Sequence, residues 1–292
     1  MSPSHSSQTS QPQLPSKYLR LKTEDKVKPP PKDAQPYFYY QVISVLHRSA
    51  VPFLVGGGFA FEFYTRIGRS MRDMDLIVRR NDLEQALGIL HEAGFKTELT
   101  FSHWLGKVYS GDFIVDIIFN SGNGLCEVDD LWFNHAAPGQ VFGFPVKFCP
   151  PEEMIWTKAF IMERERYDGG DVAHLLLKCS DRLDWMRLIS RFGSHWRVLL
   201  SHLILFGYIY PSERQQIPQD IIFELLDQLV SELAAPTSAD EPCQGPLLSR
   251  IQYRPDVEKM GFKDARLNTE SKISPEEAVE WTEAGKLEET KR

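Results

Sequence analysis

Hydrophobic and polar positions change period along the chain, and the changes mark out its elements. Residues 37–48 carry apolar side chains at helical spacing, with Phe38, Val42, Ile43 and Leu46 on one stripe. A short apolar run at 52–55 predicts a buried strand, 58–67 a helix and 74–79 a second strand. Leu83, Ala86, Leu87 and Leu90 then predict a helix over 82–93 that stops at Gly94. Strands are expected near 95–101, 104–110, 112–119 and 141–148, with Ser110-Gly111-Asp112 turning a hairpin between the second and third. From Pro151 to about Leu233 the period is helical, with breaks at Gly169-Gly170, Gly193 and Pro211. The pattern is that of an α+β fold: a mixed β-sheet with flanking helices in 36–150, followed by a helical lobe over 151–235. Residues 1–35 are Ser-, Gln- and Pro-rich and close on Pro29-Pro30-Pro31, while 236–292 is rich in Pro, Glu and Lys. The first is expected to be a disordered tail, the second a mostly disordered tail with a short helix at 275–285.

The chemistry concentrates between residues 51 and 78. The first strand stops at Gly56, Gly57 and Gly58, where no Cβ stands between the backbone amides and a ligand, so phosphates can lie against bare N–H groups at the next helix start. Asp73 and Asp75 follow on the second strand, two residues apart and therefore on one face, opposite Met74, Leu76 and Val78. Two adjacent carboxylates repel each other unless a cation lies between them, and Mg²⁺, a hard ion that prefers oxygen ligands, suits the pair. Asp116 is the one charge in the apolar run 113–119 and needs a charged partner. If its strand lies beside that of Asp73 and Asp75, three acids converge on a metal-assisted phosphoryl-transfer site. Each feature also has a structural reading: a tight turn for the glycines, a solvated edge for Asp73 and Asp75, and an arginine pair for Asp116.

Taken together, Gly56-Gly57, Arg69-Ser70 and Asp73-Met74-Asp75-Leu76, with the later lone Asp116, resemble the nucleotidyltransferase superfamily that includes DNA polymerase β. Within it the run is most similar to bacterial minimal nucleotidyltransferases of the AbiEii-like kind. A second block, Pro151 to Ile155 followed by Lys158, Arg164 to Asp168 and Asp171, resembles the helical part of such proteins, where a lysine and an Arg/Asp cluster face the nucleotide. The resemblance covers roughly residues 40–180. It implies Asp73, Asp75 and Asp116 as catalytic and metal-binding residues, with Mg²⁺ as cofactor and an NTP as substrate. Gly56, Gly57, Gly58, Arg69, Ser70 and Lys158 are the nucleotide-binding candidates. Arg69 and Arg72 are placed to reach a phosphate, whereas Arg66 reads as a solvated helix end and Glu163–Arg166 as a charged exposed face. Lys158 and Glu165, seven apart, are expected on one helix face. The reaction class is transfer of a nucleoside monophosphate to an acceptor hydroxyl on RNA, protein or a small molecule. The alternative is a nucleotide-binding regulatory or scaffold protein with this fold and no turnover.

Composition narrows the setting. The 292 residues are 42% hydrophobic, enough for a substantial core. A formal charge of −7 and a pI near 5.7 argue against a surface that coats nucleic acid. No apolar run approaches the roughly 20 residues needed to cross a bilayer, and no signal peptide is visible, so a cytoplasmic location is expected. Cys126, Cys149, Cys179 and Cys243 show no paired spacing and suggest neither zinc nor disulfides, and His195 and His202 read as packing and surface residues.

Overall fold

Two tight turns set the register of the sheet from which the rest of the fold is built. The computed structural model describes residues 19–20, 35–68, 73–237, 242–268 and 270–290. Among them, the chain runs through β1 (Leu19–Arg20), α1 (Gln35–Arg48), β2 (Leu54–Val55), α2 (Gly57–Thr65), β3 (Met74–Ile77) and α3 (Leu83–Glu92). Next come β4 (Lys96–Phe101), β5 (Leu105–Ser110), β6 (Phe113–Ile118), α4 (Asp130–Asn134), β7 (Ala137–Val141) and β8 (Phe144–Phe148). Helices complete it: α5 (Pro151–Ala159), α6 (Gly169–Cys179), α7 (Trp185–Phe192), α8 (Trp196–Ile209), α9 (Gln219–Ala234), α10 (Gly245–Leu248), α11 (Arg254–Glu258) and α12 (Pro275–Thr290). The strands form one mixed sheet in the order β1-β7-β8-β2-β3-β6-β5-β4. The expected α+β architecture is therefore the one observed.

The first turn is the expected hairpin at Gly111-Asp112, where Ser110 pairs with Phe113 and Gly111 takes a φ of 58°. The second was not legible. Residues 141–148, expected as one strand, are the end of β7 and all of β8, and β7 begins at Ala137, ahead of the expected strand. Phe142 and Gly143 turn the chain with φ of 52° and 82°. A phenylalanine in the left-handed region is not a turn signal. It is held there by burial, since Phe142 is 2% exposed and packs edge-on to Phe59.

Alternation divides β3 and β6 into two faces. Met74, Leu76, Val115 and Ile117 are fully buried on one, and Leu87 of α3 closes over that face at Gly106, the register partner of Ile117. Asp75 and Asp116 lie on the other. The stripe predicted for α1 is buried as Phe38, Tyr39, Val42, Ile43 and Leu46.

The helical stretch differs from expectation between 160 and 168. Helix α5 stops at Ala159 and α6 begins at Gly169, so Gly169-Gly170 opens a helix rather than breaking one, and Lys158 and Glu165 do not share a helix face. The residues between fold back through a Met162–Tyr167 bridge. The helices are tied to the sheet domain by a buried ion network. Glu152 and Glu153 of α5 are 3% and 0% exposed. Arg187 of α7 pairs with Glu152 at 2.5 Å and also with Glu153. Arg191 pairs with Glu153 at 3.0 Å and reaches Asp129, the N-cap of α4, with both terminal nitrogens at 2.6 and 2.9 Å.

The expectation of a mostly disordered 236–292 does not hold for its described residues. These carry α10, α11 and α12 and pack back on the domain. Trp281 sits edge-on to Phe101 and Trp104, Asn123 binds the Leu247 carbonyl, and Ser249 binds Glu163. This segment buries scattered residues, Leu247, Ala265, Ile273 and Ala278, together with polar Arg266, Ser271 and Thr282, so it has no apolar period to read. The tail expected over 1–35 lies outside the described residues except for Leu19–Arg20, which pair with β7, and Gln35. Among the described residues no helix is long and apolar enough to cross a membrane.

Replacing Arg187 by methionine leaves Glu152 and Glu153 buried with a missing partner, and a loss of about 3–5 kcal/mol in unfolding free energy is expected from urea denaturation. A loss below about 1 kcal/mol would mean that the network does not hold α5 to α7.

Candidate active site

The site is assembled where β2 leaves the sheet. The Gly56 N–H still donates to the Asp75 carbonyl at 2.9 Å, so the turn begins while β2 is paired with β3. Gly56 then acts as N-cap of α2 without any side-chain cap, leaving amides of the first helical turn available to an anion. Gly57 has a φ of 50°, and a Cβ built on it would lie 1.5 Å from Asp75 Oδ2. The acid and the turn are thus in direct contact, and glycine is required at 57 on both conformational and steric grounds. Gly58 stands half-buried in the first turn of α2.

Sheet register brings the acids together. Asp75 is the parallel partner of Asp116, and Asp116 is the antiparallel partner of Lys107, which in turn faces Glu98. Asp75, Asp116, Lys107 and Glu98 therefore make one row across four strands on one face. Lys107 Nζ donates to Asp116 Oδ1 at 2.8 Å. The charged partner expected for Asp116 is thus a lysine from the neighbouring strand. Asp73, two residues before Asp75, is exposed at the end of the row.

The electrostatics follow from this packing. Burial, then the like charges of Asp73 and Asp116, push the Asp75 carboxyl up to about 7, against an opposing pull from Lys158 and Arg166. Burial also raises Asp116, and the Lys107 hydrogen bond and charge partly offset the effect. The Tyr39 hydroxyl lies close enough to feel all three acids, and burial together with their charge holds it above the usual phenol range. On the helical side, Lys158 pairs with Asp168 at 3.0 Å and Asp171 at 2.8 Å, while Arg166 grips Asp168 through two bonds of 3.0 and 2.9 Å. The hydrogen bond to Asp168 and the nearby charges of Asp168, Asp75 and Asp73 all strengthen the positive charge of Arg166. Arg166, read from sequence as part of an exposed charged face, belongs electrostatically to the acid row.

Gly56, Gly57, Asp75 and Asp116 are thus brought together, with Asp73 beside them. Lys158 influences Asp75 through its charge while its own hydrogen bonds go to Asp168 and Asp171. Arg69, Ser70 and Arg72 lie outside the described residues, and Arg66 is the exposed left-handed cap of α2. Among the described residues no three His, Cys, Asp or Glu side chains stand close enough to hold an ion as they are, and Asp116 is turned to Lys107. The donor set itself fits a hard divalent ion: all oxygen, two carboxylates in direct register, and one of them, Asp75, half-buried without an ion pair among the described residues. Arg166 and Asp168 belong to the block likened to the helical part of nucleotidyltransferases, whereas Lys107 and Tyr39 carry no signal read from the sequence. One was within reach, because the two-residue turn at Gly111-Asp112 fixes Lys107 opposite Asp116.

Residues 41–201, more than half of the chain, match the model of a family described as an uncharacterised nucleotidyltransferase. The family match does not confirm the finer AbiEii-like likeness. No curated protein matches the chain in sequence. Solved structures that resemble it include the antibiotic-resistance factor ANT(2'')-Ia, at 18% identity over 56% of this chain and 94% of that one, with a TM-score of 0.37. The lincosamide antibiotic adenylyltransferase LnuA, bound to lincomycin, overlaps at 14% identity over 47% of this chain and 93% of that one, with a TM-score of 0.35. JHP933 from Helicobacter pylori does so at 14% identity over 66% and 97%, with a TM-score of 0.31.

The raised Asp75 carboxyl predicts a pH dependence. The folded protein keeps a proton that the unfolded chain releases near pH 4, so this group's contribution to stability is greatest below that pH. It is lost as pH rises from about 4 through about 7 and is constant above. In buffer free of divalent ions, Asp75→Asn is therefore expected to be more stable than the wild type at pH 8, by at most about 4 kcal/mol. The gap should narrow towards pH 5. Urea unfolding at the two pH values reads it, and a variant less stable at both would contradict the burial of an uncompensated charge.

Proposed function

The chain belongs to this nucleotidyltransferase family, and we propose that it is a Mg²⁺-dependent enzyme that transfers a nucleoside monophosphate from an NTP to an acceptor hydroxyl. The observation that carries this reading is the contact of Gly57 with Asp75 together with the Asp75–Asp116 register, which joins a phosphate-accepting helix start to a pair of carboxylates. In this reading the triphosphate lies against the Gly56, Gly57 and Gly58 turn, where backbone N–H groups and the positive end of α2 receive its oxygens. Asp73, Asp75 and Asp116 would hold the metal, which when bound neutralises charge developing on the transferred phosphoryl group.

The acceptor oxygen attacks the α-phosphorus in line with the departing group. A new P–O bond forms, the bond from the α-phosphorus to the bridging oxygen breaks, and pyrophosphate leaves with that electron pair. The proton of the acceptor hydroxyl goes to Asp116, which register places directly beside Asp75 at the reacting centre. Lys158 and Arg166 hold the positive side of the cleft and, through Asp168, hold one another in place. Arg166, 65% exposed, is the one of the two free to follow a phosphate. Arg69 and Ser70 complete the proposed nucleotide contacts.

Titration calorimetry of each Mg²⁺-NTP should give metal-dependent binding by the wild type that the Asp73→Asn/Asp75→Asn double variant loses; equal binding by both would remove the acids from the site. Once an acceptor is found, turnover by folded Asp75→Asn is expected to fall about a thousandfold, as read by pyrophosphate release. Gly57→Ala should lose Mg²⁺-NTP binding as well, since its methyl group and Asp75 cannot share one position. Unimpaired binding by Gly57→Ala would overturn the role of the turn.

A further inference from the structure

Lys107 has a confined position. Its side chain is 22% exposed and that of Asp116 is 16% exposed, and their 2.8 Å bond lies within a row that backbone pairing fixes on both sides, Asp116 on β6 and Glu98 on β4. Glu98 is itself exposed and engaged by the Tyr109 hydroxyl at 3.3 Å. One ammonium therefore neutralises one of the two registered carboxylates. Asp75, a strand further on, makes no ion pair among the described residues.

Lys107 holds Oδ1 of Asp116 and leaves its second oxygen open, but a unit charge within a few ångströms of the carboxylate opposes the arrival of a second cation. Lys107 and a divalent ion therefore compete for Asp116. We propose that Lys107 is a positioning residue: it holds Asp116 in the metal-free protein, yields that carboxylate to the divalent ion, and turns its freed ammonium to a phosphate oxygen of the incoming nucleotide. The inference rests on the reading that Asp73, Asp75 and Asp116 hold the metal.

The geometry makes the exchange short. Neighbouring strands stand about 4.8 Å apart, so an ammonium released from Asp116 lies one strand spacing from that acid and two from Asp75. In the proposed complex the triphosphate brings the negative charge that replaces Asp116 as the partner of this ammonium. The lysine stem has four rotatable carbons for this movement, and its backbone does not need to leave the sheet. Because the ammonium loses one partner when the metal binds and gains another when the nucleotide binds, each ligand assists the other to the same degree. Without nucleotide the metal has to displace Lys107 unaided.

The test uses the full chain and Mn²⁺ as a paramagnetic stand-in for Mg²⁺, with free Mn²⁺ measured by electron paramagnetic resonance. No turnover is involved. Affinities are measured with and without a non-hydrolysable NTP analogue. Lys107→Met is expected to bind Mn²⁺ without nucleotide about tenfold more tightly than the wild type, since a competing charged hydrogen bond has been removed. It should also lose most of the gain in Mn²⁺ affinity that the nucleotide gives the wild type. Lys107→Arg, which keeps the charge and grips the carboxylate through two donors, should bind Mn²⁺ more weakly than the wild type.

A folded Lys107→Met that binds Mn²⁺ no better than the wild type overturns the proposal and leaves Lys107 as a support for the sheet. Should Lys107→Met not fold, Lys107→Arg decides alone: Mn²⁺ binding equal to or tighter than the wild type overturns it. A wild type that binds no Mn²⁺ with or without nucleotide refutes the metal reading itself, a result distinct from either.

Discussion

The carboxylate of Asp75 occupies the space in which a side chain at position 57 would begin, and the functional half of the molecule depends on that contact. It needs a glycine with positive φ at the start of α2, a strand that presents Asp75 to that helix start, and a hydrogen bond from Gly56 to the Asp75 carbonyl that locks the two together. A helix start and an acid are thereby held as one unit. The cost is electrostatic: a carboxylate is desolvated beside two others, which is why its pKa is pushed up to about 7. Sites that store such strain are commonly those that a ligand relieves.

The remainder of the fold keeps that unit rigid and supplies countercharge. On the strand side the answer to Asp116 is Lys107, delivered by hairpin register. On the helical side it is Lys158 and Arg166, organised by Asp168 and Asp171 at the start of α6. The two sides keep their relation because α5 and α7 are bolted to the N-cap of α4 through Glu152, Glu153, Arg187, Arg191 and Asp129. Such a network offers little stability over a well-packed apolar one but tolerates no missing member, so it fixes geometry more than it adds energy. The C-terminal segment adds a further brace by joining the Asn123 loop and the β4–β5 turn to Glu163, three residues before Arg166.

Reading the sequence found most of the sheet and one side of the site. Period-two alternation in β6, the helical stripe of α1 and the Gly111-Asp112 turn are local signals, and local signals survive in a linear chain. The glycines after β2 and the acids Asp75 and Asp116 are legible by residue type, and the fold brings them together. The failures have a common cause. Phe142 turns the chain only because a core surrounds it, the segment after residue 241 folds only because a sheet edge is there to receive it, and Lys158 near the end of α5 pairs with Asp168 and Asp171 at the start of α6. None of these reasons lies within a window of a few residues.

The sequence by itself determined the residue chemistry of this protein: that glycines follow β2, that acids stand on strands of the sheet, and that the strands are followed by a run of helices. Only the tertiary structure decided how the charges are shared. Lys107 neutralises Asp116 while Asp75 is left without an ion pair among the described residues, and Arg166 is drawn towards the acids. The physical reason is that side-chain identity is written residue by residue, whereas desolvation and Coulomb energy depend on distances across strands and helices that exist only once the chain has packed.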